Sequence, residues 1–131
     1  MKDEFTKYIG VPYKHAGRDI KGLDCWGLII LIYKECLNFE LLDIWDYEKH
    51  WSKTKSNLFL DNYNKHFKQT EKPKKFDLIF FHSKVDKEQV IHAGVYIGKG
   101  DFIHCMSKLG TNRAKLCDWK SVVYGYYRLI K

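Results

Sequence analysis

The sequence predicts an α+β domain, helical in its first part and stranded in its second. Three observations carry that prediction. A long apolar run with a capping residue lies near the start, from Asp24 to about Leu37. Four segments rich in β-branched and aromatic residues follow Pro73. The glycine-rich sequence Gly98-Lys99-Gly100-Asp101 joins the second and third of these at turn length. Helices segregated from strands in this way favour a largely antiparallel sheet.

In chain order, residues 3–9 have room for one or two helical turns. Gly10 to Gly22 reads as a loop, because it holds Pro12, Gly17 and Gly22. Asp24 is an N-cap for the helix that follows, since a short carboxylate accepts from the unpaired N–H groups of a first turn. Trp26, Leu28, Ile29, Ile30, Leu31 and Ile32 make this helix apolar nearly all round, which is the character of a helix buried inside a domain. Between 38 and 72, Leu58, Phe59, Tyr63 and Phe67 fit a helical stripe and predict one or two short helices. The strands are predicted at Phe76–Phe81, Ile91–Gly98, Phe102–Met106 and Val122–Ile130.

A chain of 131 residues has the size of one domain, so residues 1–131 are read as a single unit. Its 45% hydrophobic content, with nine Tyr, eight Phe and four Trp, is enough for a packed core. The start, MKDEFTKYIG, has no apolar stretch and does not read as a secretory signal. The longest apolar run, Leu28 to Tyr33, is far too short to span a membrane. These features predict a protein made in the cytoplasm; action outside the cell that makes it would need another machine to carry it, or a signal removed from the sequence. Four cysteines without a secretory signal are expected as free thiols, and no CxxC spacing suggests zinc. No metal and no cofactor are expected. The net charge of +7 is spread along the chain without a dense cluster, which argues against nucleic acid. It suits residence on an anionic surface such as a bacterial wall.

Two segments carry chemistry. Gly22-Leu23-Asp24-Cys25-Trp26-Gly27-Leu28 puts a cysteine in the first turn of a buried helix, where unpaired N–H groups and the helix dipole favour a thiolate. Gly22 and Gly27 permit close approach of another backbone or a substrate. The plain alternative is a structural cysteine. Ile91-His92-Ala93-Gly94-Val95-Tyr96-Ile97-Gly98 alternates, with Ile91, Ala93, Val95 and Ile97 on one face and His92 on the other. A cysteine nucleophile needs an imidazole to take its proton, and the two can be far apart in sequence. The plain alternative for His92 is a structural histidine.

With Tyr8-Ile9-Gly10-Val11-Pro12-Tyr13, Phe76-Asp77-Leu78-Ile79-Phe80-Phe81 and Asp101-Phe102-Ile103-His104, these segments stand in the order found in the NlpC/P60 cysteine peptidases, and the chain resembles that family from Tyr8 to Leu129. The resemblance implies a papain-like fold and cleavage of peptidoglycan stem peptides, commonly between γ-D-glutamate and the following diamino acid. It implies Cys25 as nucleophile, His92 as general base and His104 as the orienting third member. Tyr13 matches the tyrosine near the oxyanion, and Asp24 the acid that helps hold a free N-terminal amine of substrate. Trp26, where most members have serine, is placed with them on the substrate side and bears on stem-peptide preference. The Asp-Cys-Trp-Gly-Leu form and the closing Val123-Tyr124-Gly125-Tyr126-Tyr127-Arg128 look like a branch found in phage-tail and prophage proteins, which implies association with a virion or a secretion device. Phe76 and Ala16 stand where the family usually has glycine.

Whether His104 reaches His92 depends on the hairpin. Centred on Gly98, the hairpin makes the two face each other; turning on Lys99-Gly100, it puts them on opposite faces. His15, His50, His66 and His82 read as solvated, Cys36 and Cys105 as packing, and Cys117 as without a partner. Two other functions fit the fold: an acyltransferase or amidase acting on lipid or protein, and a non-catalytic tail-assembly protein. Cysteine before histidine favours the peptidase order, and retention of both residues disfavours the scaffold.

Overall fold

The computed structural model describes residues 3–41 and 66–130. The expectations for His50 and for the stripe Leu58, Phe59 and Tyr63 lie outside the described residues. A single 3-10 turn, Thr6–Tyr8, occupies the N-terminal segment. The loop after it holds a two-residue ribbon of β1 (Arg18–Asp19) and β2 (Gly22–Leu23). Helix α1 (Cys25–Leu37) follows. Asp24 caps it by accepting from Gly27 N–H at 2.7 Å, and Asn38 ends it in the left-handed conformation that asparagine tolerates.

Six strands form one antiparallel sheet in the order β3-β8-β4-β5-β6-β7. They are β3 (Phe67–Thr70), β4 (Leu78–His82), β5 (Val90–Gly98), β6 (Asp101–Met106), β7 (Gly110–Lys115) and β8 (Val123–Leu129). Four match the predicted segments. Strands β3 and β7 were not predicted, and Phe67, read as the end of a helical stripe, instead opens an edge strand paired to β8. Its side chain is buried against Tyr33 of α1, so tertiary packing overrides the local period. β7, Gly-Thr-Asn-Arg-Ala-Lys, has almost no apolar content to mark it as a strand.

α1 packs on β5 and β6. One face of the sheet presents Leu78, Phe80, Ala93, Val95, Ile103 and Cys105 to Trp26, Ile29, Ile32 and Tyr33. The opposite face carries a smaller cluster, Ile79, Phe81, Phe102 and Leu116, covered in part by Trp119 and Val122. Strand alternation separates the two sets on β4 and β6. Phe76 and Ala16 both have positive φ, 77° and 59°. The glycines usual there in the family would adopt this backbone without steric cost.

Candidate active site

The helix that starts at Cys25 is fixed by its cap. Asp24 is buried, and its Oδ1 also accepts from Arg18 Nη1 at 2.8 Å while Oδ2 accepts from Ala16 N–H at 3.1 Å. Three donors from two loop residues and the first helical turn therefore hold one carboxylate. Gly27 permits the close approach expected of it, and Gly17 adds another. A Cβ on Gly27 would lie 2.0 Å from the carbonyl oxygen of Gly17, and one on Gly17 would lie 2.3 Å from that of Gly22. The loop lies directly on the first turn of α1.

The histidines sit across a hairpin whose register the sequence left open. The turn is Lys99-Gly100, both at positive φ, as a two-residue hairpin turn requires. Gly98 pairs with Asp101, yet Tyr96 pairs with Phe102 and Val95 with Ile103. One extra residue on β5 between Tyr96 and Gly98 shifts the register, and this bulge returns His92 and His104 to the same face. Both readings of the hairpin were thus incomplete. The rings meet diagonally, with His92 Nε2 2.9 Å from His104 Nδ1. Gly94 leaves the space between them, since a Cβ there would lie 2.9 Å from Ile103 O and 3.3 Å from His104 Cβ.

A second bulge aims His92. Phe81 pairs with His92, but His82 pairs with Val90, so Ile91 is the extra residue. The expected alternation fails at this point: Val90 takes the core position and Ile91 is exposed. Bulges re-aim side chains next to active sites.

These features converge where β5 begins and β6 ends. A cleft of about 400 Å³ is lined by Tyr13, Asp24, Cys25, Ile91, His92, Cys105, Met106, Ser107 and Trp119. Cys25, His92, Tyr13 and Asp24 are thus brought together. His104 lies behind His92, fully buried, and burial lowers its pKa to about 4 despite its bond to Asn112. At neutral pH it is uncharged. Burial, followed by the nearby Asp24, Cys25 and Cys105, pushes the Tyr13 hydroxyl up, so it stays protonated and able to donate.

Trp26 is a correction. It is fully buried in the core and does not line the cleft. One residue along a helix turns the side chain by about 100°, which carries Trp26 inward when Cys25 faces the cleft. Sequence reasoning missed Trp119 and Asn112. Trp119 stands edge-on to His104 with ring centroids 5.1 Å apart, and Asn112 Oδ1 lies 3.2 Å from His104 Nε2. Their places depend on a 3-10 turn and an unpredicted strand, so no local signal marked them.

The other thiols and imidazoles fall largely as expected. All four cysteines are free. Cys105 donates to Leu23 O at 3.0 Å, and burial raises its pKa. Cys36, 3.9 Å from Tyr8 Oη, is also raised by burial. Cys117 is exposed, with Sγ 3.8 Å from Asp118 Oδ1. His15 and His66 are exposed, but His82 Nδ1 bonds Ser83 O at 2.8 Å and is half-buried. No helix among the described residues is long and apolar enough to cross a membrane.

Comparison with known proteins places this geometry in a lineage. The chain is 31% identical over 128 residues to the gamma-DL-glutamyl hydrolase of Bacillus subtilis (strain 168), covering 95% of this chain and 28% of that protein. It is 23% identical over 118 residues to the probable endopeptidase NlpC of Escherichia coli (strain K12), covering 88% of this chain and 66% of the relative. The chain therefore spans only part of the curated relatives it matches. In three dimensions it resembles the crystal structure of the NlpC/p60 domain of the peptidoglycan hydrolase SagA, with a TM-score of 0.60 and 19% identity over 93% of this chain and 89% of that one. That likeness bears on the fold. The model of the NlpC/P60 family matches residues 10–128, nearly the whole chain, and so the protein belongs to the NlpC/P60 family.

Proposed function

We propose that the protein is a cysteine endopeptidase or amidase that cleaves peptidoglycan stem peptides at the bond between γ-D-glutamate and the following diamino acid. The observation that carries this reading is the shared cleft: a cysteine at a capped helix start and a histidine held by a second histidine line one cavity. The names of the relatives, a gamma-DL-glutamyl hydrolase and an endopeptidase, support the bond and substrate class.

In this reading His92 takes the proton of Cys25 Sγ, and the thiolate attacks the γ-carbonyl carbon. The oxyanion that forms lies near the helix start and the protonated Tyr13 hydroxyl. The imidazolium of His92 then protonates the leaving amine, and water hydrolyses the thioester by the reverse path. Asp24 acts first as the cap of α1. Its carboxylate accepts three internal hydrogen bonds, two on Oδ1 and one on Oδ2, and it lines the cleft with acceptor capacity left on Oδ2 for a substrate amine. The net charge of +7 suits an anionic wall. We further propose delivery by a phage tail or secretion device, supported by the Asp-Cys-Trp-Gly-Leu sequence.

The test is digestion of purified peptidoglycan followed by mass analysis of the fragments. Products ending in γ-D-glutamate, with new amines on the diamino acid, are expected. Fragments cut only in the glycan strands, or none, would refute the assignment.

A further inference from the structure

Behind the catalytic pair lies a chain of hydrogen bonds whose direction is set at its far end. Asn112, on β7, stands directly opposite His104 on β6. Its Nδ2 donates to the carbonyl of Gly110 at 3.0 Å, and its Oδ1 lies 3.2 Å from His104 Nε2. We propose that Asn112 is a positioning residue that fixes the tautomers of both histidines, so that His92 presents Nδ1 as its only proton-accepting nitrogen. The inference rests on the reading of Cys25 and His92 as nucleophile and base.

The logic follows from which atoms can only accept. A backbone carbonyl has no proton, so the NH2 group of Asn112 must face Gly110. The amide oxygen then faces His104, and a bond there requires the proton on His104 Nε2. Burial keeps His104 neutral at pH 7, so its Nδ1 carries a lone pair. That lone pair lies 2.9 Å from His92 Nε2, which must therefore carry the proton of neutral His92. Nδ1 of His92 is left to receive the proton from Cys25 Sγ, giving imidazolium and thiolate. With the amide flipped, two oxygens would face each other at Gly110 and the NH2 would force the opposite tautomer on His104.

The anchor is rigid. Gly110 has φ +73°, and a Cβ there would lie 2.8 Å from Val11 O. Thr111 N–H donates to Val11 O, and Gly10 N–H donates to Thr111 O, both at 2.9 Å. The segment leading to Tyr13 is thus laced to the start of β7, and the carbonyl that orients Asn112 cannot easily turn.

The test uses nitrogen NMR of the histidine rings at pH 7, which distinguishes an Nε2–H from an Nδ1–H imidazole without any substrate. The wild-type protein is expected to show Nε2–H on both His92 and His104. Asn112→Leu is expected to mix the tautomers of both rings and to slow alkylation of Cys25 by iodoacetamide about tenfold, by analogy with the lower end of losses seen when the outer partner of a metal-bound histidine is removed. Asn112→Asp presents only acceptors to His104 and is expected to preserve Nε2–H there, at some cost in stability because its second oxygen meets Gly110 O in place of the lost donor; it keeps the test open where the leucine variant folds poorly. A ring of the wild type that carries Nδ1–H without Nε2–H, or Asn112→Leu with unchanged tautomers and alkylation, would overturn the proposal; an imidazolium on His92, protonated on both nitrogens through proton transfer from Cys25, is consistent with it. Both rings as Nε2–H together with a Cys25 no more reactive than Cys117 would uphold the tautomers and instead refute the hydrolase reading.

Discussion

Acid should destabilise this fold through His104, and the size of the effect can be worked out. The ring is fully buried between Phe102, Trp119, His92 and Asn112, and its pKa falls from 6.5 to about 4. In the unfolded chain it protonates near 6.5, so between pH 6.5 and pH 4 the unfolded state binds the additional proton. Stability is therefore complete above pH 6.5 and declines as the pH falls through this window. A shift of that size corresponds to about 3 kcal/mol, of which about 2.5 kcal/mol is lost by pH 4.5. Carboxylates held below their ordinary range in the fold, such as Glu4 and Glu35, also lose stability in this window, so the His104 share is read as a difference between two proteins that both carry them. The assay is urea unfolding at pH 7.5 and pH 4.5 for the wild type and for His104→Gln. The glutamine variant will be less stable overall, but its loss between the two pH values should be smaller by about 2 kcal/mol. Equal losses in the two proteins would refute the argument that His104 is held neutral by burial.

Cys25→Ala is expected to abolish hydrolysis and leave the fold intact, at a packing cost on the order of 1 kcal/mol, checked by digestion of stem peptides and by thermal unfolding. Partial alkylation with peptide mapping should find Cys25 modified before Cys36, Cys105 and Cys117; any other first site contradicts the assigned nucleophile. Gly27→Ala should destabilise by roughly 3 kcal/mol or more, because the methyl group meets the backbone oxygen of Gly17 and neither can yield freely; a near-neutral melting temperature would refute the close approach. Ala16→Gly should stabilise by up to about 1 kcal/mol, since Ala16 is exposed at φ 59° and glycine relieves the left-handed backbone; destabilisation would show that the loop is not held in this conformation. His104→Ala should lower turnover while leaving measurable activity, read in the same digestion assay.

The parts of the fold most legible in the sequence were those with local causes. Asp24 announced the helix start because capping is a property of one side chain and its nearest N–H groups. The apolar run behind it announced a buried helix, and the strands of the central sheet showed their β-branched and aromatic content. Gly22 and Gly27 signalled close approach, which at Gly27 the structure resolves into the loop carbonyl of Gly17 lying on the first helical turn; Gly17, marked by the sequence only as loop, is as tightly placed. What escaped was set by partners distant in sequence. β7 is polar and exists because it completes the sheet beside β6. Phe67 is a strand residue because β8 and Tyr33 claim it. The two bulges in β5 have no sequence mark, yet one puts the histidines on a common face and the other exposes Ile91 beside His92. Trp26 was misplaced because its neighbour in sequence faces the cleft, whereas helical geometry turns it into the core.

The most direct test of the central claim is to trap the intermediate. Rapid acid quenching of the protein with a γ-D-glutamyl-diamino acid stem peptide, followed by mass mapping, should find the glutamyl fragment attached as a thioester to the peptide carrying Cys25. The adduct should be absent in Cys25→Ala, which should also release no product. Hydrolysis that persists in Cys25→Ala, or an adduct on another residue, would contradict the assignment of Cys25 as the nucleophile.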